Sequence, residues 1–177
     1  MEILSIILLA ICYGITMKIA DLLNEHGLKW FKGSALIFGI LWGLFGAALV
    51  LTDTAVAIVI LAMNLAFLVR NRLDYFNHQV AATIIIVSYL LTQTFMPMLF
   101  GIFFAIFAIF GSLKDYVDDK LRKKGPIMWI TESGWYYPIP GLIYSIMTNN
   151  WSVFVMTFFY VLSYNIVKYM ATKKGYK

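Results

Sequence analysis

Two apolar stretches, residues 34–69 and 80–113, run on far longer than one helix needs to cross a bilayer. As a single helix each would extend roughly 50 Å, against a hydrocarbon core of about 30 Å. Each is therefore expected to fold back as a hairpin of two helices. The first breaks at "LTDTA", with Asp53 at the turn. The second breaks at "TQTFMP", where Pro97 disfavours helix in the residue before it. Apolar stretches at 3–20, 127–147 and 151–170 add one helix each, for seven in all. The opening "MEILSIILLAICYGITM" has no basic n-region and is expected to stay as the first helix.

The rest of the composition agrees. With 62% of residues hydrophobic and 13% charged, a soluble globular domain is excluded. The expectation is an all-α, polytopic transmembrane bundle with 1–177 as a single domain. Charge tests the count independently. With seven crossings and the N-terminus outside, every lysine and arginine falls on one side or in a helix end adjoining it. That side is expected to be cytoplasmic, and the C-terminus with Lys173, Lys174 and Lys177 lies there. The chain thus reads as a multi-pass protein of the cell membrane. Its net charge of +5 does not point to nucleic acid, because the cations sit in short patches beside apolar stretches, where they meet anionic lipid headgroups. Cys12 is the single cysteine, so disulfides within the chain and cysteine metal clusters are excluded. Ala35, Gly39, Gly43 and Ala47 recur every four residues and let helices approach closely, either within the bundle or between copies in a homo-oligomer.

A short acidic motif occurs three times: "DLLNE" from Asp21, "DYFNH" from Asp74 and "DYVDD" from Asp115, 53 and 41 residues apart. Each copy is expected at the cytoplasmic end of a descending helix. If it continues that helix, its first, fourth and fifth positions share a face. Carboxylates and amide oxygens on one face suit a hard cation such as Mg²⁺, which takes its remaining ligands from water and substrate phosphate. Asp115, Asp119, Asp74, Asp118 and Asp21 are the candidate metal ligands. Arg70, Arg72 and Lys114 would meet a phosphate or diphosphate, with Asn71 and Asn77 orienting it. His78, four residues after Asp74, would act as a base, a phosphate donor or a ligand. The competing explanation is structural: Asp118 with Arg122 and Asp119 with Lys123 form ordinary i, i+4 ion pairs on a solvated helix end.

The sixth segment is interrupted. "GPIMWITESGWYYPIPG" contains Glu132, Gly134, Pro138 and Pro140, and a regular helix is not expected through "SGWYYPIPG". An interruption at membrane depth must be buried in protein or face a wet cavity. Glu132, an ionisable residue just inside the interface, is a catalytic candidate together with His78. Its structural alternative is an interfacial carboxylate within the aromatic belt of Trp129, Trp135, Tyr136 and Tyr137.

Through Asp115 and Asp119 in "DYVDD", and through Asn71 and Asp74 in "NRLDYFNH", the chain resembles the UbiA superfamily of intramembrane prenyltransferases. That resemblance implies Mg²⁺ and a prenyl diphosphate held between two aspartate-rich motifs at the cytoplasmic side. It covers about 25 residues; the spacing of the first motif differs, and the chain is shorter than that family's nine-helix architecture. A fainter likeness, through the glycine-spaced helix after "FKGS" and the "GSLKDYVDDKLRKKG" loop, is to archaeal CDP-archaeol synthases. The expected function is a Mg²⁺-dependent membrane enzyme acting on an isoprenoid or lipid phosphate at the cytoplasmic face, by prenyl or nucleotidyl transfer. The alternative is a non-enzymatic membrane protein, a small transporter or a structural subunit. No hydrolase triad, P-loop or zinc motif is present in the sequence.

Overall fold

A computed structural model of the chain describes residues 3–117 and 133–176. Asp118, Asp119 and Glu132 lie outside the described residues. Seven helices are present among the described residues: α1 (Ile3–Asn24), α2 (Ser34–Val50), α3 (Thr54–Val69), α4 (Phe76–Thr92), α5 (Pro97–Tyr116), α6 (Pro138–Thr148) and α7 (Ser152–Lys173). No strand occurs among those residues.

Both long apolar stretches do fold back. After α2 ends, Asp53 adopts extended backbone and its carboxylate accepts from the N–H groups of Ala55 at 2.9 Å and Val56 at 3.1 Å. This is an N-cap, which satisfies donors that the first turn of α3 leaves without helical partners. In the second stretch α4 stops at Thr92 and Pro97 begins α5, a position where its missing N–H costs nothing.

The core is organised around α3. Its residues from Ala55 to Asn64 are buried without a break, as are Ala66 and Phe67. The helix is apolar all round because α2, α4, α5 and α7 pack against it. Outside this centre α1 packs on α2 and α7, and α6 on α7. The periphery is apolar as well: Leu90, Leu91, Met98, Ile109, Ile146 and Met147 are exposed. Three helices, α1, α5 and α7, are long and apolar enough to cross a membrane. The apolar helices α2, α3 and α4 are shorter, at 16 or 17 residues.

The small-residue stripe serves the α2–α4 contact. A Cβ on Gly39 would stand 2.6 Å from the carbonyl oxygen of Asn77, and one on Gly43 would stand 3.0 Å from the Cα of Ala81. Only hydrogen fits there. The segment before α6 breaks as its prolines predict: residues 133–137 form a turn, and α6 starts at Pro138 with Pro140 still inside its first turn. At 11 residues α6 is shorter than the helix expected over 127–147, of which residues 127–132 lie outside the described residues.

The helices share two polar ends. At one, Asn150 donates to the Asp53 carboxylate at 3.2 Å, and Gln93 donates to the carbonyl of Val50 at 2.9 Å. Residues 51–53, 93–96 and 149–151 contain no lysine or arginine. The other end gathers the C-termini of α1, α3 and α5, the N-terminus of α4, and the cations Lys18, Arg70, Arg72 and Lys114.

Candidate functional site

At the cationic end a cavity of about 170 Å³ opens between α1, α4, the α3–α4 connection, the end of α5 and α7. That volume is comparable to the ~150 Å³ cavities that accept a benzene-sized guest. Its walls differ in charge.

The basic wall comes from the connection after α3. Asn71, in the left-handed region at φ 55°, turns the chain out of the helix. Arg70 and Arg72 then point to the end of α5. Arg70, only 6% exposed, donates from Nε at 3.0 Å and from Nη2 at 2.8 Å to Asp115 Oδ2. Arg72 donates to Oδ1 of the same carboxylate at 2.5 Å. One anion thus faces two guanidinium groups, and Lys114 lines the same space. The Arg70 head lies flat on Gly111, where an added Cβ would stand 2.1 Å from Nη1. That buried Nη1 has no hydrogen-bond partner among the described residues.

The acidic wall is built by two copies of the repeated motif meeting across α1 and α4. Asn24 donates to Asn77, fourth position to fourth position, and Asn77 also donates to the carbonyl of Ala35. The fifth position of the second copy meets the first position of both copies. His78 Nε2 lies 3.4 Å from Asp21 Oδ1, and His78 Nδ1 lies 3.8 Å from Asp74 Oδ1. The other oxygen of Asp21 accepts from the Tyr164 hydroxyl at 2.8 Å and stands 3.7 Å from Lys18 Nζ. Glu25 completes the group: one ligand atom each from Asp21, Glu25 and His78 lies within 4.8 Å of the others. Partial burial, then the Asp21 charge beside it, push the Glu25 carboxyl above its ordinary range.

The second motif copy departs from expectation. It does not continue a descending helix: α3 stops at Val69, Asp74 lies in the connection, and Asn77 and His78 belong to the first turn of α4. It therefore meets the first copy from the opposite chain direction, with fourth position on fourth and fifth on first.

Of the candidate residues, Arg70, Arg72, Lys114, Asp115, Asp21 and His78 line the cavity. Asp74 stands behind His78, half exposed. Asn71 and Asn77 shape the backbone turn and the α1–α4 contact. Asp115 does not join Asp21 and Asp74 in one ligand set, because both its oxygens face arginines. Mg²⁺ prefers an all-oxygen octahedron, and the described group that converges, Asp21, Glu25 and His78, includes an imidazole and by itself suits Mg²⁺ poorly, while Asp118 and Asp119 of the expected set lie outside the described residues. Glu25 and Tyr164 were not among the candidates. Glu25 carried a signal, as the fifth position of the first motif copy; Tyr164, 143 residues from Asp21, carried none.

Beside the polar cavity lies an apolar cleft of about 330 Å³, walled by Trp135, Phe158 and Leu162. Ser133, Val161 and Asn165 border both spaces. Comparison of the chain with protein-family models, curated proteins and solved structures finds no match.

Proposed function

We propose that this chain is a seven-crossing membrane protein, N-terminus outside and C-terminus cytoplasmic, that binds the phosphate or diphosphate head of an isoprenoid or other lipid at its cytoplasmic end and acts there as a transferase. Three helices of spanning length, the exposed apolar periphery and the gathering of cations at one end support the membrane part of this reading.

The observation that carries the functional part is the shared border of the two spaces. A polar cavity with a buried, unpartnered Arg70 Nη1 adjoins an apolar cleft across Ser133, Val161 and Asn165. An amphiphile with an anionic head fits that sequence of environments. Arg70 and Arg72 would hold the head through forked, charge-assisted hydrogen bonds, exchanging part of their contact with Asp115 for phosphate oxygens. His78 and Glu25, on the facing wall, are placed to give or take a proton at the reacting group. Transport across the bundle is less well supported. Asp53, the polar residue at the far end, is engaged as a helix cap and by Asn150, and the interior between is formed by the apolar α3.

The test is thermal stabilisation of the detergent-purified protein by farnesyl diphosphate, farnesol and inorganic diphosphate. Farnesyl diphosphate should stabilise more than either fragment alone, and Arg70→Gln should remove the difference between it and farnesol. Equal effects of farnesol and farnesyl diphosphate on the wild type would rule out the head-group site.

A further inference from the structure

We propose that Asp21, Glu25 and His78 form a zinc site on the acidic wall of the cavity. The ion would occupy the ring nitrogen and carboxylate that the phosphate reading uses for proton transfer at His78 and Glu25, and so replaces that role, while the head-group contacts of Arg70, Arg72 and Lys114 take no part in it.

The ring nitrogen of His78 that faces the cavity wall is poorly satisfied. The His78 side chain is 4% exposed, and its Nε2 has no well-aligned hydrogen-bond partner among the described residues. The nearest acceptor, Asp21 Oδ1, is 3.4 Å away, an ion-pair contact when the ring is protonated but a long and poorly aligned hydrogen bond. A buried imidazole nitrogen whose one partner is long and poorly aligned is costly, and burial in native proteins is normally accompanied by a well-formed bond. A metal ion supplies what the position lacks. Two ligands of a tetrahedral zinc, each at about 2.0–2.1 Å, stand about 3.4 Å apart, so an ion between Nε2 and Oδ1 needs almost no rearrangement. Glu25, on an exposed, flexible side chain within the same 4.8 Å group, closes as the third ligand. The fourth position then faces the cavity, the arrangement of zinc sites that keep one position for water or substrate.

The surroundings are those of a metal-bound histidine. Its second nitrogen, Nδ1, is turned to the Asp74 carboxylate at 3.8 Å, the side on which such histidines are held by an outer carboxylate. Asp21 is oriented likewise: Tyr164 and Lys18 occupy Oδ2, leaving Oδ1 directed at the site. The ring of His78 is also fixed edge-on against Trp42 and Tyr75, with centroids at 5.6 and 5.5 Å. One imidazole with two carboxylates favours a borderline ion such as Zn²⁺ over Mg²⁺, which takes oxygen ligands almost exclusively.

The experiment titrates ZnCl₂ calorimetrically into the chelator-stripped, detergent-purified full chain, with no lipid present, and repeats it in excess MgCl₂. One Zn²⁺ per chain should bind, unaffected by Mg²⁺. Glu25→Gln should weaken it about tenfold or more, and His78→Gln should abolish it. Asp115→Asn should leave the affinity unchanged, as should His26→Gln, whose imidazole lies 3.8 Å from Glu25 on the outer side. If His78→Gln does not fold, the exposed Glu25→Gln variant decides alone. Displacement by equimolar Mg²⁺, undiminished affinity in Glu25→Gln, or loss in His26→Gln without loss in His78→Gln would overturn the assignment. Because the titration contains no phosphate or lipid, its failure leaves the farnesyl diphosphate test standing, and the converse holds.

Discussion

Replacing Gly111 by alanine sets two known effects against each other. In a helix interior the exchange is normally favourable by about 0.5–1 kcal/mol, because glycine loses more backbone freedom on folding. Here the new methyl would stand 2.1 Å from Arg70 Nη1, 2.3 Å from Cζ and 2.7 Å from Nε. Ordinary contact needs about 3.5–4.0 Å, so the guanidinium must lift by more than an ångström. That lift breaks the alignment of its two bonds to Asp115, each a charge-assisted contact of roughly 1.5–3 kcal/mol. Arginine at a cavity edge regains some hydration, which offsets part of the loss. The net expectation is a destabilisation of about 1–2 kcal/mol. The assay is reversible unfolding in mixed micelles, run as a double-mutant cycle with Asp115→Asn. With Asp115 neutralised, the bonds that the methyl disrupts are already weakened, so Gly111→Ala should cost less or turn stabilising. If Gly111→Ala stabilises the wild-type chain by the full helix-propensity gain, the close packing of Arg70 on α5 is refuted.

Two further outcomes are expected. The Glu25 carboxyl is raised, first by partial burial and then by Asp21. The folded chain therefore holds this proton more tightly than the unfolded one, and the stabilisation is full below the unfolded value and lost as pH rises through the folded value. In metal-free buffer wild type should lose stability relative to Glu25→Gln as pH goes from about 4 to 7, converging at the acidic end; parallel curves would contradict the shift. Asp53→Ala removes an N-cap with two backbone bonds and the Asn150 contact, and should cost about 1–2 kcal/mol in the same unfolding assay, whereas an unchanged midpoint would show the cap to be idle.

Local punctuation made the helices legible. Asp53 and Pro97 marked where two overlong apolar runs had to turn, because capping and the missing proline N–H act within a few residues. Gly134, Pro138 and Pro140 marked the break before α6 for the same reason. The site was legible only in its ingredients. Arg70, Arg72, Lys114, Asp115, Asp21 and His78 stood out as polar groups beside apolar stretches. How they sort into two walls depends on contacts 45 residues apart for Arg70 with Asp115 and 53 apart for Asn24 with Asn77, and no local rule ranks those pairings. The repeat was visible, but the reversal of its second copy was not. That reversal depends on Asn71 ending α3 early, and a single residue's entry into the left-handed region is only weakly encoded. A histidine and two acids in separate segments form no linear motif, so the converging group escaped recognition as one unit.

The Asp21 carboxylate sits on α1 but touches Tyr164 of α7 and faces His78 of α4, while the neighbouring Asn24 holds Asn77. In mechanical terms the last turn of α1 is a rivet through three helices. It cannot swing outward without breaking contacts on two neighbours at once, so that side of the cavity behaves as a stiff jamb. The opposite side is held by the Arg70 and Arg72 contacts to Asp115, which an incoming anion can exchange one for one. Any widening to admit a bulky head should therefore fall on the α5 side, with α1, α4 and α7 moving as one body.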